Sequence, residues 1–196
     1  NFGAGNNRFS YFTAPDGDLD YYFIHDDSVA NILTSFSNLT GKTPLPPKWA
    51  LGYQQCRYSY YPDKEVIRIA KTFREKDIPA DVIYLDIHYM EEYKVFTFDK
   101  KNFSKPEQLI QHLKEIGFRV VIILDPGIKV DPDYLPYTEG KNKDLFLKYP
   151  DGELYEGKVW PGWCVFPDFT NPETREWWQE KLKFYIDAGV DGFWTD

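Results

Sequence analysis

The chain has 196 residues, of which 42% are hydrophobic and 28% are charged, the proportions of a globular protein. They exclude a disordered or collagen-like chain, and no stretch stays apolar over the ~18 to 20 residues that a membrane helix needs. The 23 Lys and Arg residues against 31 Asp and Glu give a net charge of −8, which argues against nucleic acid and anionic membrane as partners.

The first part of the chain has little material for a core of its own. Residues 9–24 predict two short strands around a turn at Gly17, which suits a positive φ. Three prolines between residues 40 and 48 then favour an extended connector. We interpret the first segment as the end of a β-domain whose beginning is missing.

After Pro47, strand patterns and helix patterns alternate along the chain. The predicted elements are strands at 49–56, 81–86, 119–125 and 192–196, and helices at 63–77, from Ser104 to Gly117 and from Asn171 to Gly189. Asp63 is the predicted N-cap of the first helix, and Ser104 to Glu107 form a predicted capping box. A long loop separates the third strand from the third helix.

This order demands parallel strands with helical crossovers, as in a doubly wound sheet or a (β/α)8 barrel. Four strands and three helices would make half of a barrel, whose usual length is about 250 residues. The chain stops at its fourth strand without a helix to cover it. We therefore expect a fragment truncated at its C-terminus.

Three of the four predicted strands end in an aspartate: Asp86, Asp125 and Asp196. The carboxyl ends of parallel strands open onto the ligand crevice, so the strand pattern places three carboxylates around one mouth. Such an arrangement destabilises the fold and is more often functional than accidental. The alternative is that each aspartate caps the loop that follows it.

Aromatic residues make up 18% of the chain, and several follow the predicted strands or fall in the long loop, which is expected to place them beside these acids. They are Tyr58, Tyr60, Tyr89, Trp160, Trp163 and Trp194. Trp194 and Asp196 are two residues apart in a predicted strand and so point to the same side. Acids beside flat apolar rings indicate sugar recognition, although core packing explains many of the rings equally well.

Asp86, His88 and Asp125 could instead form a metal site, but this pattern is weak because their spacing is arbitrary. The chain contains no Gly-rich phosphate motif, HExxH or GxSxG. Cys56 and Cys164 cannot form a disulfide framework, and we interpret them as small buried apolar residues.

Five ordered segments resemble glycoside hydrolase family 31, in its α-glucosidase branch: PLPPKWALGYQQCRYSYY, DVIYLDIHYMEEYKVFTFD, RVVIILDPGIK, KVWPGWCVFPDFTNP and DGFWTD. The resemblance implies retaining hydrolysis of α-linked glucosides, without metal or other cofactor, on a (β/α)8 barrel preceded by a β-sandwich. Residues 1–39 would be the end of the sandwich and 40–48 a linker. Residues 49–196 would be the N-terminal half of the TIM barrel.

The resemblance also implies roles for the acids. It makes Asp196 the catalytic nucleophile, Asp86 a ligand of hydroxyls on the cleaved sugar, and Asp125 a residue of the same subsite. The acid/base residue of the family comes from a later strand. We therefore expect it outside this chain, and we expect the isolated 196 residues to be inactive.

The apolar walls of the same pocket are the other residues that the resemblance implies. The matching positions are Tyr58, Ile87, Trp160 and Trp194, with His88 and Trp163 as further candidates. His88 replaces the second aspartate of a D-I-D-Y-M motif, which removes a hydroxyl-binding carboxylate there. We interpret this difference as a subtype of the family.

Several alternatives stay open at this point. Within the family they are an α-xylosidase, a transglycosylase or a lyase, although Trp194 favours a glucosidase. Outside it they are a metal-dependent sugar isomerase or hydrolase and a noncatalytic carbohydrate-binding module. The expected partner is an α-glucoside or oligosaccharide, and the sequence leaves a homo-oligomer open. The two cysteines and the lack of a visible export signal lean weakly towards the cytoplasm.

Overall fold

The computed structural model spans the whole chain and describes Tyr11, Thr13 and residues 16–196. The chain divides into two compact units, residues 1–45 and residues 46–196. The described residues form five α-helices: α1 (Val29–Thr40), α2 (Asp63–Glu75), α3 (Pro106–Glu115), α4 (Leu135–Asn142) and α5 (Pro172–Asp187). Their strands are β1 (Gln54–Gln55), β2 (Val82–Leu85), β3 (Arg119–Ile123), β4 (Ile128–Lys129), β5 (Glu156–Val159), β6 (Gly162–Val165) and β7 (Gly192–Trp194).

The two strands predicted at 9–24 are wrong where the structure describes that segment. Residues 9, 10, 12, 14 and 15 lie outside the described residues. The turn is present, because Gly17 has a φ of 101° and its N–H donates to Asp16 at 2.8 Å. Residues 18–24 do not form a strand.

Helix α1 was not predicted from the sequence. Its residues Val29, Leu33 and Phe36 follow the spacing of a helix, but the intervening Ser, Thr and Asn residues have low helix propensity. The Asp26 carboxylate accepts hydrogen bonds from Ser28 N at 3.1 Å and from the side chain of Asn31 at 2.9 Å. These bonds stabilise the first turn. The β-sandwich and the domain bounds at 39 and 48 stay predictions.

Four parallel strands form the main sheet, in the order β1-β2-β3-β7. Helices α2, α3 and α5 lie between successive strands along the chain, as the sequence pattern predicts. The first strand is shorter than expected, because Lys48–Leu51 form a 3-10 helix and leave only Gln54 and Gln55 to pair with β2. The fold is therefore part of a (β/α)8 barrel.

The helix ends confirm some of the predicted caps and correct others. Asn171 caps α5, since its side chain accepts from Glu173 N at 2.9 Å. Asp63 is the first residue of α2 rather than its N-cap. The capping box at Ser104 does not form, because α3 begins one residue later, at Pro106 with Lys105 as N-cap. Among the described residues, no helix has the length and apolar character to cross a bilayer.

The helices cover one face of the sheet through a continuous apolar core. Alternate residues of β2 and β3 belong to this buried cluster together with α2 and α3: Ile83, Leu85, Val120, Ile122, Val66, Ala70, Leu109, Ile110 and Leu113. Each fully buried side chain of this size contributes about 1.5–3 kcal/mol of apolar burial. The core therefore fixes which residues of each strand point to the other face.

The predicted long loop after β3 is a folded insertion rather than a loop. It contains α4 and an antiparallel sheet in the order β4-β6-β5. The strands of this sheet are only two to four residues long, and helix α4 has eight residues. Such short segments carry little periodic signal, which is why the pattern was missed.

Replacing Gly140 in α4 by Ala is expected to destabilise this insertion. A Cβ at Gly140 would lie 2.3 Å from Cζ of Phe146, which is 3% exposed and packs against Trp177 at 6.2 Å between ring centroids. Overpacking of this kind costs about 1–3 kcal/mol, more than the ~1 kcal/mol that Ala gains in a helix. The midpoint of thermal unfolding should fall, whereas Asn142→Ala on the exposed end of α4 should leave it unchanged. An equal midpoint in both variants would contradict this packing.

Candidate active site

The three predicted aspartates lie at one edge of the main sheet. Asp86 directly follows β2, Asp125 lies two residues after β3, and Asp196 lies two residues after β7. Leu124 N donates to Trp194 O at 2.8 Å, so the pairing of β3 and β7 continues beyond the last strand residues. The last pair of the register is Ile123 with Trp194, and two residues further along, the same register brings Asp125 opposite Asp196.

Side-chain alternation, extended beyond the ends of the strands, predicts the same face of the sheet for all three residues. Successive side chains of a strand alternate, so Asp86 lies on the side of Tyr84, and Asp196 on the side of Trp194. The rings of Tyr84 and Trp194 contact each other edge to face, with 6.2 Å between centroids. Asp125 follows the same alternation. This face is opposite to the one that the helices cover, and it carries both the acids and the aromatic rings.

Asp125 is held by a tryptophan from the insertion. Its Oδ2 accepts a hydrogen bond from Trp160 Nε1 at 2.9 Å. Its Oδ1 is buried and has no hydrogen-bond partner among the described residues. A buried acceptor without a partner costs about 1–3 kcal/mol, and a ligand hydroxyl would remove that cost. The protein therefore provides a hydrogen bond to only one carboxylate oxygen of Asp125, and the other oxygen is left for a polar ligand.

A tight hairpin brings Trp160 to this position. Trp160 and Pro161 form the two-residue turn between β5 and β6, closed by the pairing of Val159 with Gly162. Gly127 allows the hairpin to come close, because a Cβ there would lie 2.9 Å from Cγ2 of Val159. The sequence predicted Trp160 but not the hairpin, whose only signal is a Trp-Pro-Gly turn between short runs.

Trp194 borders an open cavity of about 480 Å³, within the size range of small-ligand sites. Its lining residues are Cys56, Tyr84, Phe193, Trp194 and Thr195. Burial raises the pKa of Tyr84, whose hydroxyl donates to Gln54 at 2.6 Å. The cavity has aromatic walls and reaches Thr195, the residue before Asp196. It could receive the apolar face of a sugar ring.

The two cysteines differ, which corrects the prediction that both are buried. Cys164 is fully buried, and burial raises its pKa to about 11. Cys56 is exposed. The pKa of its thiol is nevertheless raised, mainly because the sulfur is partly shielded from water and secondly because of the negative charge of Asp86. Both thiols are free and protonated at neutral pH, so neither is a ready nucleophile.

Asp86 is 7% exposed and begins a 3-10 turn, Ile87–Tyr89. Its Oδ1 accepts a hydrogen bond from Ile87 N at 2.7 Å. Asp86 therefore does cap the following turn, and its other carboxylate oxygen carries no described bond. Ile87 is only 3% exposed and packs in the apolar core. Its role as a pocket wall stays a prediction.

The turn after Asp86 is fastened to α5 by two buried tyrosines. Tyr89 OH donates to Ile123 O at 2.8 Å and lies 3.2 Å from Tyr185 OH, which accepts from Phe96 N at 2.6 Å. Burial raises the pKa of both tyrosines, so they stay neutral. This support was not predictable from the sequence, because a tyrosine in an apolar pattern is indistinguishable from an ordinary core residue.

The remaining candidates lie at the rim. Tyr58 is 66% exposed and meets His88 edge to face, with 5.2 Å between ring centroids. Trp163 is 58% exposed and lies on β6 opposite Lys158. In the described part of the chain no hydrogen bond joins Trp163 to the aspartates, and its substrate role stays a prediction.

The metal alternative lacks an assembled site. Among the described residues, no three His, Cys, Asp or Glu side chains come together as metal ligands. His88 Nδ1 lies 2.8 Å from Ser59 Oγ, and Asp125 Oδ2 is occupied by Trp160. The predicted trio of Asp86, His88 and Asp125 is therefore not gathered around one point.

A parallel barrel sheet with strand-end carboxylates and aromatic walls is the architecture of TIM-barrel glycoside hydrolases. Residues 43–196 match the family model described as the glycosyl hydrolases family 31 TIM-barrel domain. The chain therefore belongs to glycosyl hydrolase family 31, as the resemblance in the sequence implied.

The most similar relatives include named α-glucosidases. The chain is 55% identical over 185 residues to α-glucosidase 2 of Bacillus thermoamyloliquefaciens, covering 94% of this chain and 24% of that protein. A family 31 α-glucosidase structure from Bacteroides thetaiotaomicron matches with a TM-score of 0.78 and 48% identity, over 85% of this chain and 28% of that one. A dextranase variant of Flavobacterium johnsoniae, solved with isomaltotriose, matches with a TM-score of 0.79 and 34% identity, over 87% and 21% of the two chains. The chain thus spans about a quarter of the length of the curated relatives it matches.

Proposed function

We propose that the protein is a retaining α-glucosidase that releases terminal α-linked glucose from oligosaccharides. The observation that carries this proposal is that Asp86, Asp125 and Asp196 follow the carboxyl ends of three neighbouring strands, which carry the contacting rings of Tyr84 and Trp194. The names of the relatives support the same substrate class.

In the proposed reaction, the Asp196 carboxylate attacks the anomeric carbon of the terminal glucose. The bond from that carbon to the glycosidic oxygen breaks, and the departing oxygen takes a proton from a general acid. Water then attacks the glycosyl-enzyme ester, giving its proton to the same group and releasing glucose. Retention needs nucleophile and acid/base carboxyls about 5 to 5.5 Å apart. The acid/base is predicted to lie on a later strand.

Asp125 and Asp86 would bind the glucose while this happens. Asp125 offers its unpartnered Oδ1 to a sugar hydroxyl, and the hydrogen bond from Trp160 keeps the carboxylate in place. The negative charge of both groups would favour the positive charge that develops on the sugar ring in the transition state.

The full-length protein tests the proposal directly when supplied with p-nitrophenyl α-glucoside, whose leaving group contains no sugar, and followed by proton NMR. A retaining enzyme releases α-glucose first, and the β-anomer accumulates only by mutarotation. Early β-glucose would indicate inversion and contradict the assignment of Asp196 as a nucleophile. Faster turnover of p-nitrophenyl α-xyloside than of p-nitrophenyl α-glucoside would favour the α-xylosidase alternative instead.

A further inference from the structure

The side chain of His88 is held by three tyrosine rings at the rim of the site. The Tyr61 ring stacks on it at 4.5 Å between centroids and an angle of 9°. Tyr58 and Tyr93 meet it edge to face at 5.2 and 5.5 Å. Nδ1 of His88 also shares a hydrogen bond of 2.8 Å with Ser59 Oγ. The imidazole is therefore fixed in position and orientation before any ligand arrives.

The other ring nitrogen of His88 is left open. Nε2 has no hydrogen-bond partner among the described residues, and it is not among their buried unpartnered atoms. Whichever tautomer the Ser59 bond selects, Nε2 keeps one hydrogen-bonding function, as a donor or as an acceptor. A preorganised ring loses little conformational entropy when a ligand binds to it.

The position of His88 relative to Asp86 indicates which part of a substrate it meets. Asp86 is 7% exposed at the end of β2, while His88 lies two residues further along the chain, beside the 66% exposed Tyr58. An enzyme that removes a terminal glucose places that glucose deepest. The next sugar, which departs with the leaving group, then lies at the rim.

We infer that His88 determines specificity for the leaving-group sugar: Nε2 hydrogen-bonds a hydroxyl of that sugar, and the exposed ring of Tyr58 packs beside it. Ser59 and Tyr61 are positioning residues for the imidazole. This inference rests on the proposed α-glucosidase activity and adds the group that recognises the second sugar.

Variants at His88 in the full-length protein test the inference with two substrates. Maltose has a sugar leaving group with hydroxyls, whereas p-nitrophenyl α-glucoside has an aryl leaving group without them. His88→Ala should lower kcat/KM for maltose about tenfold, the loss of one good hydrogen bond, and change the aryl glucoside less than about twofold. An equal loss on both substrates, or no loss on maltose, would overturn the inference.

Two amide substitutions separate the two ring nitrogens. His88→Gln places an amide near the former Nε2 and should retain much of the maltose activity. His88→Asn places an amide near Nδ1, where it can still bond Ser59, and should behave like His88→Ala. The reverse order would show that only the bond to Ser59 matters.

Ser59→Ala and Tyr61→Phe keep the test valid if the His88 variants fold poorly. Ser59→Ala frees the imidazole and should reduce the maltose-to-aryl ratio by about two- to fivefold, less than the loss of the ring nitrogen itself. Tyr61→Phe keeps the stacked ring and should therefore lower the ratio less than Ser59→Ala does. An unchanged ratio in Ser59→Ala would argue against positioning. Absence of wild-type turnover on both substrates would instead overturn the proposed function, and this inference with it.

Discussion

Asp196→Asn should lower kcat for an α-glucoside by about 10⁴-fold or more, because an amide cannot attack the anomeric carbon and form the ester intermediate. The substitution keeps the size of the side chain, so the variant should still bind sugar. Steady-state kinetics in the full-length protein measure the first effect, and calorimetric titration with a sugar inhibitor measures the second. If the protein were a noncatalytic carbohydrate-binding module, the wild-type protein would show no turnover, and Asp196→Asn would have no effect on kcat to measure.

Asp191 provides a matched control on the same strand. It lies at the opposite, amino end of β7, where its carboxylate bonds Arg119 at 3.0 Å and accepts from Val120 N at 3.0 Å. In TIM barrels the active site lies at the carboxyl ends of the strands, whereas residues at the amino ends contribute to stability. Asp191→Asn should therefore lower the unfolding temperature and leave kcat near the wild-type value. If Asp196→Asn keeps a rate within tenfold of Asp191→Asn, Asp196 is not the nucleophile.

The second large effect is expected at Asp125. Removing its carboxylate by Asp125→Ala should lower kcat/KM about 10²–10³-fold, the usual cost of deleting a group that stabilises the transition state. Trp160→Phe removes the indole N–H that bonds Oδ2 but keeps an aromatic ring, and should cost about tenfold. The double variant should be no worse than Asp125→Ala, because Trp160 is proposed to act through Asp125.

Trp163 gives the control for this pair. It lies on the same hairpin and carries the same indole, but no described bond joins it to Asp125. Trp163→Phe should leave kcat/KM for a small aryl glucoside unchanged. Effects of Trp160→Phe and Asp125→Ala that multiply in the double variant would contradict the coupling, and would mean that Trp160 contacts the substrate independently.

The elements that the sequence predicted well are those with long periodic patterns or strong end signals. The run around Val121 is apolar throughout, as a strand covered on both faces must be, and Asn171-Pro172 begins a helix that the structure confirms. The errors lie where the signal is local and short. Ser104 has the residues of a capping box but lies one residue too far from the helix start.

By itself, the sequence determined that parallel strands alternate with helices, and that three of those strands end in aspartates. The periodicities of strands and helices are local properties of the chain, and an Asp that follows a strand pattern can be read directly from the linear sequence. Only the tertiary structure decided which partner each acid has. The bond from Trp160 to Asp125 spans 35 residues, and the imidazole of His88 is fixed by Ser59, 29 residues away. Such contacts depend on how separate segments pack, and no local pattern encodes them.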